Sequence, residues 1–75
     1  SDCKALVQEK ENINFLFLYI MSTKKINIEE IKKRLRIKLP YYSIPKFIIT
    51  MKKFPLNRNY KIDLNKLKEM SLELI

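Results

Sequence analysis

Apolar positions along the chain fall into three short runs separated by polar segments. The first run lies within residues 3–9 and predicts a strand, and residues 10–14 are polar enough to form a turn. The second run, residues 15–21, is apolar and aromatic without alternation, which is typical of a strand buried on both faces. The third run, residues 47–51, predicts another strand. A doubly buried strand needs a covering element on each side of its sheet.

A segment with helical periodicity lies between the second and third strands. Apolar residues recur there at spacings of three, four and four, at Ile28, Ile31, Leu35 and Leu39. This pattern predicts a helix over residues 28–39. Asn27 is expected to cap its first turn, with Glu30 completing a capping box, and Pro40 is expected to end it.

Asp63 is placed to cap a short second helix that runs through Leu64 and Leu67 towards Met70. The order of elements is therefore strand, strand, helix, strand, helix. We predict a small α+β fold for residues 1–75, a single domain with a three-stranded sheet, a main helix on one face and a short C-terminal helix. Because the C-terminal helix is short, we expect an apolar patch on the second face, and marginal stability or self-association of the isolated chain.

Composition excludes several classes of site. The chain of 75 residues has one cysteine, Cys3, and no histidine or glycine, so no metal site, internal disulfide, catalytic Ser-His or Cys-His pair or glycine-rich phosphate loop is expected. Its longest apolar run, residues 15–21, is much too short to span a membrane. We therefore expect a cytoplasmic setting and no membrane partner. The first residue is Ser1 rather than Met, as expected for a piece of a longer polypeptide.

The net charge of +8 raises the question of an acidic partner. Lysine supplies thirteen of the sixteen basic residues, whereas arginine is the residue that reads bases and holds phosphate in a bidentate way. Isoleucine, lysine and asparagine together supply thirty of the 75 residues, which resembles a coding bias. These facts argue against specific nucleic-acid binding. They leave two interpretations of the helix over residues 28–39, a solvated basic face or a binding surface for an acidic partner.

Lys61 is the candidate for chemistry. It lies on a polar turn within residues 54–63, directly after an apolar strand and directly before the start of a helix. A cation held at such a junction can be aimed at a negatively charged reacting group, whereas a lysine in the middle of a helix usually points into water.

Two motifs resemble those of a known enzyme family. Leu39-Pro40-Tyr41-Tyr42-Ser43-Ile44-Pro45 resembles the stretch L-P-x-Y-M-[IV]-P of adenylate-forming enzymes. Residues 54–63, Phe-Pro-Leu-Asn-Arg-Asn-Tyr-Lys-Ile-Asp, resemble their last core motif, P-L-T-x-N-G-K-[IV]-D. Weaker similarity covers Asp2 to Val7 and the helix before Pro40. The match is nearest to the amino-acid adenylation domains of non-ribosomal peptide synthetases and to D-alanine–carrier-protein ligases.

The resemblance implies a specific role. The chain would be the later part of a small, mobile C-terminal subdomain, and Lys61 would be the catalytic lysine that contacts ATP and the adenylate. ATP and Mg²⁺ would be cofactors of the full-length enzyme, with none expected on this fragment. The implied partners are the large N-terminal adenylation subdomain and a carrier protein with a phosphopantetheine arm. The isolated chain would be inactive, so whether it is itself an enzyme stays open; the alternative is a basic binding module without catalysis.

Four positions depart from the family's motifs, and one concerns the backbone. Tyr60 stands where the family has glycine, and a left-handed conformation there costs a tyrosine on the order of 1 kcal/mol or more. We therefore expect either that Asn59 takes the left-handed position or that the presentation of Lys61 is altered. The other departures are Asn57 for threonine, Leu64 for arginine and Ser43 for methionine.

Overall fold

A computed structural model describes residues 2–75 and confirms the α+β fold and the order of its elements. The strands are β1 (Asp2–Lys10), β2 (Ile13–Met21) and β3 (Phe47–Met51), and the helices are α1 (Ile28–Lys38) and α2 (Leu64–Glu73). The connector between α1 and β3 contains a short 3₁₀ turn, Tyr41–Ser43. Within residues 2–75 no helix is long and apolar enough to cross a membrane.

The sheet has the order β1-β2-β3 and mixes two kinds of pairing. Strands β1 and β2 form an antiparallel hairpin, whereas β2 and β3 run parallel, joined by α1. Glu11 and Asn12 have positive φ angles of 53° and 65°, as a tight two-residue hairpin turn requires. Because the turn is so short, Lys10 pairs with Ile13, and β2 starts two residues before the predicted strand.

Local capping sets the boundaries of α1. The Asn27 side chain accepts a hydrogen bond from the Glu30 amide at 3.2 Å, as predicted. The Glu30 carboxylate does not complete a capping box, since it accepts from the Arg34 guanidinium at 3.1 Å. Leu39 is already extended (φ −121°, ψ 148°), so the helix ends at Lys38, ahead of Pro40.

One face of the sheet holds a sealed core between β2, β3 and α2. Phe17, Tyr19 and Leu67 are fully buried and Phe54 nearly so, and they form one cluster. The Tyr19 hydroxyl is hydrogen-bonded to the buried Ser71 side chain and to the Leu67 carbonyl. Helix α2 extends to Glu73, beyond the predicted end near Met70, and buries Leu67 and Ser71 in this core.

The opposite face is covered less completely. Ile20 and Ile48 are buried there, and the half-buried apolar residues of α1 lie outside the core cluster, which places α1 on this side. Val7, which pairs with Leu16 on the same face, is 61% exposed. An exposed patch thus lies on the face of α1, because a helix joining β2 to β3 covers those strands and leaves β1 open. On the face of α2, where we expect a patch, Phe15, Phe47 and Ile49 are half-buried.

Candidate functional site

The Lys61 turn is fastened to the fold at both ends. On one side, Phe54 is buried in the core directly after β3. On the other, the Asp63 carboxylate accepts from the Lys66 amide at 3.1 Å and caps α2, as predicted. An isolated antiparallel bridge joins Leu56 to Ile62, so the two arms of the turn pair with each other. The lysine thus lies on a small loop between a core anchor and a helix cap.

The loop itself follows a known hairpin pattern. The Tyr60 amide donates to the Asn57 carbonyl at 3.1 Å, and the Asn57 amide donates to the Lys61 carbonyl at 2.8 Å. Tyr60 has φ of 61°. These features are those of a three-residue hairpin loop that ends in a left-handed bulge residue, the position where glycine is favoured. Of the two alternatives, the one with Asn59 in the left-handed conformation is wrong, because Tyr60 takes that conformation.

Asn57 organises the loop from inside. Its side-chain oxygen accepts from the Asn59 amide at 2.8 Å and from the Lys61 amide at 3.1 Å. This is the local bonding by which asparagine stabilises turns. The sequence showed Asn57 only as a departure from the threonine of the family motif, although the turn preference of asparagine was a usable signal. Asn57 is therefore the positioning residue for the backbone of Lys61.

The Lys61 side chain is exposed, and its ammonium group makes no hydrogen bond or ion pair within residues 2–75. The loop can therefore present a free cation to a surface outside this chain. The part of the chain that the structure describes contains no group of three His, Cys, Asp or Glu residues able to hold a metal ion. Lys61 and Asp63, which the sequence singles out as the candidate for chemistry and as a helix cap, lie on the same anchored turn.

Several peptide synthetases are similar to this chain. Bacitracin synthase 3 of Bacillus licheniformis is 36% identical over 62 residues, which is 83% of this chain and 1% of that protein. Tyrocidine synthase 3 of Brevibacillus parabrevis is 32% identical over 60 residues, 80% of this chain and 1% of that protein. A four-domain nonribosomal peptide synthetase, solved with AMP and glycine bound, superposes with a TM-score of 0.76 at 32% identity. The chain belongs to the nonribosomal peptide synthetase adenylation family and corresponds to part of the C-terminal subdomain.

This adenylation subdomain segment is small beside its relatives. Its match covers 85% of this chain but 5% of the solved four-domain synthetase, and 1% of the bacitracin and tyrocidine synthases named above. No protein-family profile matches the chain. The motifs at residues 39–45 and 54–63 had indicated the same relationship, and the comparisons confirm it.

Replacing Tyr60 with glycine should stabilise the adenylation subdomain segment by about 0.5–1 kcal/mol. A non-glycine residue in the left-handed region is strained by about 1–2 kcal/mol, and the greater freedom of glycine in the unfolded chain offsets part of this gain. Tyr60 is 85% exposed, so little packing is lost. Urea unfolding followed by circular dichroism measures the difference.

Tyr41 offers a matched control for that substitution. It is 86% exposed and is not among the positive-φ residues, so Tyr41→Gly should lower stability. Equal effects of the two substitutions would show that the turn at Tyr60 carries no strain.

Proposed function

We propose that this segment is the mobile lid of an amino-acid-activating adenylation domain and supplies Lys61 to the step that forms the acyl-adenylate from ATP and an amino acid. The observation that carries the proposal is an exposed, unpaired lysine on a loop held by Asn57, by the Leu56–Ile62 bridge and by the Asp63 cap. The similarity to synthetases, one of them solved with AMP and glycine, supports the same role.

The chemistry needs a cation at this point. When a carboxylate attacks the α-phosphate of ATP, negative charge concentrates on the carboxylate and phosphate oxygens. An ammonium group on a flexible stem can reach both and is most valuable where that charge develops. ATP supplies the adenylyl group: a bond forms between a carboxylate oxygen and the α-phosphorus, while the bond from that phosphorus to the departing pyrophosphate breaks. Because residues 2–75 offer no cluster of metal ligands, the large subdomain and ATP would have to hold the Mg²⁺.

The segment would work only with partners. We propose the large N-terminal adenylation subdomain as the partner that binds ATP and the amino acid, and a carrier protein with a phosphopantetheine arm as the acceptor of the acyl group. The test joins the chain to such a large subdomain and measures amino-acid-dependent ATP–pyrophosphate exchange with Lys61 present and removed. The joined protein should exchange and the 75-residue chain alone should not.

A second candidate function is a basic binding module for an acidic partner, such as a carrier protein or a nucleic acid, without catalysis. Helix α1 has five basic and two acidic residues. Its ion pairs join Lys32 to Glu29 at 3.9 Å and Arg34 to Glu30 at 3.1 Å. The remaining basic residues, Lys33, Arg36 and Lys38, are exposed. This surplus of positive charge on α1 is what favours a binding role.

If α1 binds an acidic partner, the double variant Lys33→Gln/Arg36→Gln should weaken binding and lower the slope of log affinity against log salt by about 1 for each lost contact. Titrations with an acidic carrier protein and with single-stranded DNA at several salt concentrations measure this slope. Lys61→Ala should bind like the native chain, since its charge lies outside α1. Absence of binding to either polyanion at low salt would eliminate this second function.

A further inference from the structure

The carboxyl ends of β2 and β3 lie side by side, because the two strands are parallel and Met21 pairs with Met51. The segments that follow these two strand ends go to opposite faces of the sheet. Residues 22–27 lead to α1 on one face of the sheet, whereas residues 52–53 lead to Phe54 in the core on the other face. Parallel strands whose continuations part in this way leave a crevice between them, and such crevices are the usual ligand sites of open sheets.

A cleft occupies this position. Its volume is about 510 Å³, and its lining consists of Ser22, Thr23, Lys24, Lys25, Ile26, Thr50, Met51 and Lys52. Three lysines and three hydroxyl side chains thus face one space, and no carboxylate lines it. The Ser22 amide donates to the Met51 carbonyl at 2.9 Å, which holds the two strand ends together across the cleft floor.

The polar groups of the cleft are available for binding. The exception is the Ser22 hydroxyl, which accepts from the Lys24 amide at 3.1 Å and donates to the Lys24 carbonyl at 3.3 Å. Within residues 2–75 the hydroxyls of Thr23 and Thr50 make no hydrogen bond, and the ammonium groups of the three cleft lysines make no ion pair. Ammonium and hydroxyl donors without a competing carboxylate suit a compact oxyanion, since charge-assisted hydrogen bonds to phosphate oxygens are strong.

We propose that this cleft is a binding site for a phosphate group, free or carried on a small molecule, with Lys24 and Lys52 as its principal charged contacts. These two lysines come from the loop after β2 and from the residue after β3, so they approach the ligand from both strands. Lys61 is not among the lining residues, so the site is separate from the one proposed for adenylate formation.

Amide NMR titration of the 75-residue chain at constant ionic strength tests the site, with inorganic pyrophosphate and glycerol 3-phosphate as probes. Saturable shifts are expected at residues 22–25 and 50–52. Tighter binding of pyrophosphate identifies a free oxyanion, and tighter binding of glycerol 3-phosphate identifies a phosphate monoester. The variant Lys24→Gln/Lys52→Gln should weaken binding of the preferred probe at least about tenfold.

The control has the same change in net charge elsewhere. Lys4→Gln/Lys68→Gln alters two exposed lysines, one on β1 and one on α2, outside the cleft, and should change affinity by no more than about twofold. Equal weakening in both double variants would mean general charge attraction and would overturn the proposal. Shifts of the cleft amides with polyglutamate but with neither phosphate probe would also overturn it, in favour of docking by an acidic protein.

Discussion

Lys61→Ala is expected to lower amino-acid-dependent ATP–pyrophosphate exchange by about 10²–10³-fold, in the chain joined to a large adenylation subdomain. The loss corresponds to about 2.7–4 kcal/mol, the usual effect of removing one preorganised donor from the developing charge of a transition state. The structure makes Lys61 suitable for this role because its ammonium group has no competing partner within residues 2–75, while its backbone is held by Asn57. Exchange rates at saturating ATP and amino acid measure the effect.

Two variants separate this contribution from changes in charge or folding. Lys66→Ala removes a lysine five residues away, on α2, whose ammonium group lies 3.9 Å from Glu69, and it should retain nearly all exchange. Lys61→Arg keeps the charge but changes the shape of the donor, so it should restore only part of the rate. Transfer from a preformed aminoacyl-adenylate should be much less sensitive to Lys61→Ala than exchange is. Equal exchange by Lys61→Ala and native protein would refute the catalytic role.

Structural features that depend on neighbours along the chain could be predicted from the sequence. The non-alternating run at residues 15–21 became the central strand β2, with Phe17 and Tyr19 buried on one face and Ile20 on the other. Asn27 and Asp63 both cap helices, since a capping side chain bonds to an amide three residues ahead. Such bonds can be inferred from residue type and spacing alone.

The left-handed conformation of Tyr60 could not be predicted from local residue preferences. The sequence left two alternatives at this turn, Asn59 in the left-handed conformation or an altered presentation of Lys61, because a left-handed conformation strains a tyrosine. Pairing of Leu56 with Ile62 and of Asn57 with Lys61 nevertheless sets the loop length, and in a three-residue loop the last residue takes the bulge. Hairpin register therefore outweighs a preference of about 1 kcal/mol.

The spatial arrangement of residues that are distant in sequence could likewise not be predicted. The exposed face at Val7 follows from which strands α1 bridges, and the lysine-lined cleft brings residues 22–26 beside residues 50–52. Both depend on the parallel register of β2 and β3, which no local pattern encodes. No local pattern distinguishes the lysines of the cleft, because their neighbours in space are distant in sequence.

Leu67→Ala should destabilise the fold by about 2–5 kcal/mol, the cost of removing a buried leucine side chain and leaving a cavity. Leu67 is fully buried in a cluster with Phe17, Tyr19 and Phe54, and it is the one fully buried apolar side chain that α2 contributes within residues 2–75. A small domain has a stability of roughly 0.05–0.15 kcal/mol per residue, so this loss is a large part of the free energy of folding. Urea unfolding of both proteins, followed by circular dichroism, compares their midpoints.

The matched control is Leu72→Ala on the same helix. Leu72 is 52% exposed, and its removal should cost no more than about 0.5–1 kcal/mol. A further readout links the core to the site, because α2 begins at the Asp63 cap. The Lys61 and Asp63 amides both donate hydrogen bonds within the turn, so loosening α2 should raise their exchange in Leu67→Ala but not in Leu72→Ala. Similar midpoints for the two variants would show that α2 does not seal the core. Unchanged amide exchange in Leu67→Ala would show that the Lys61 loop is held without the helix that follows it.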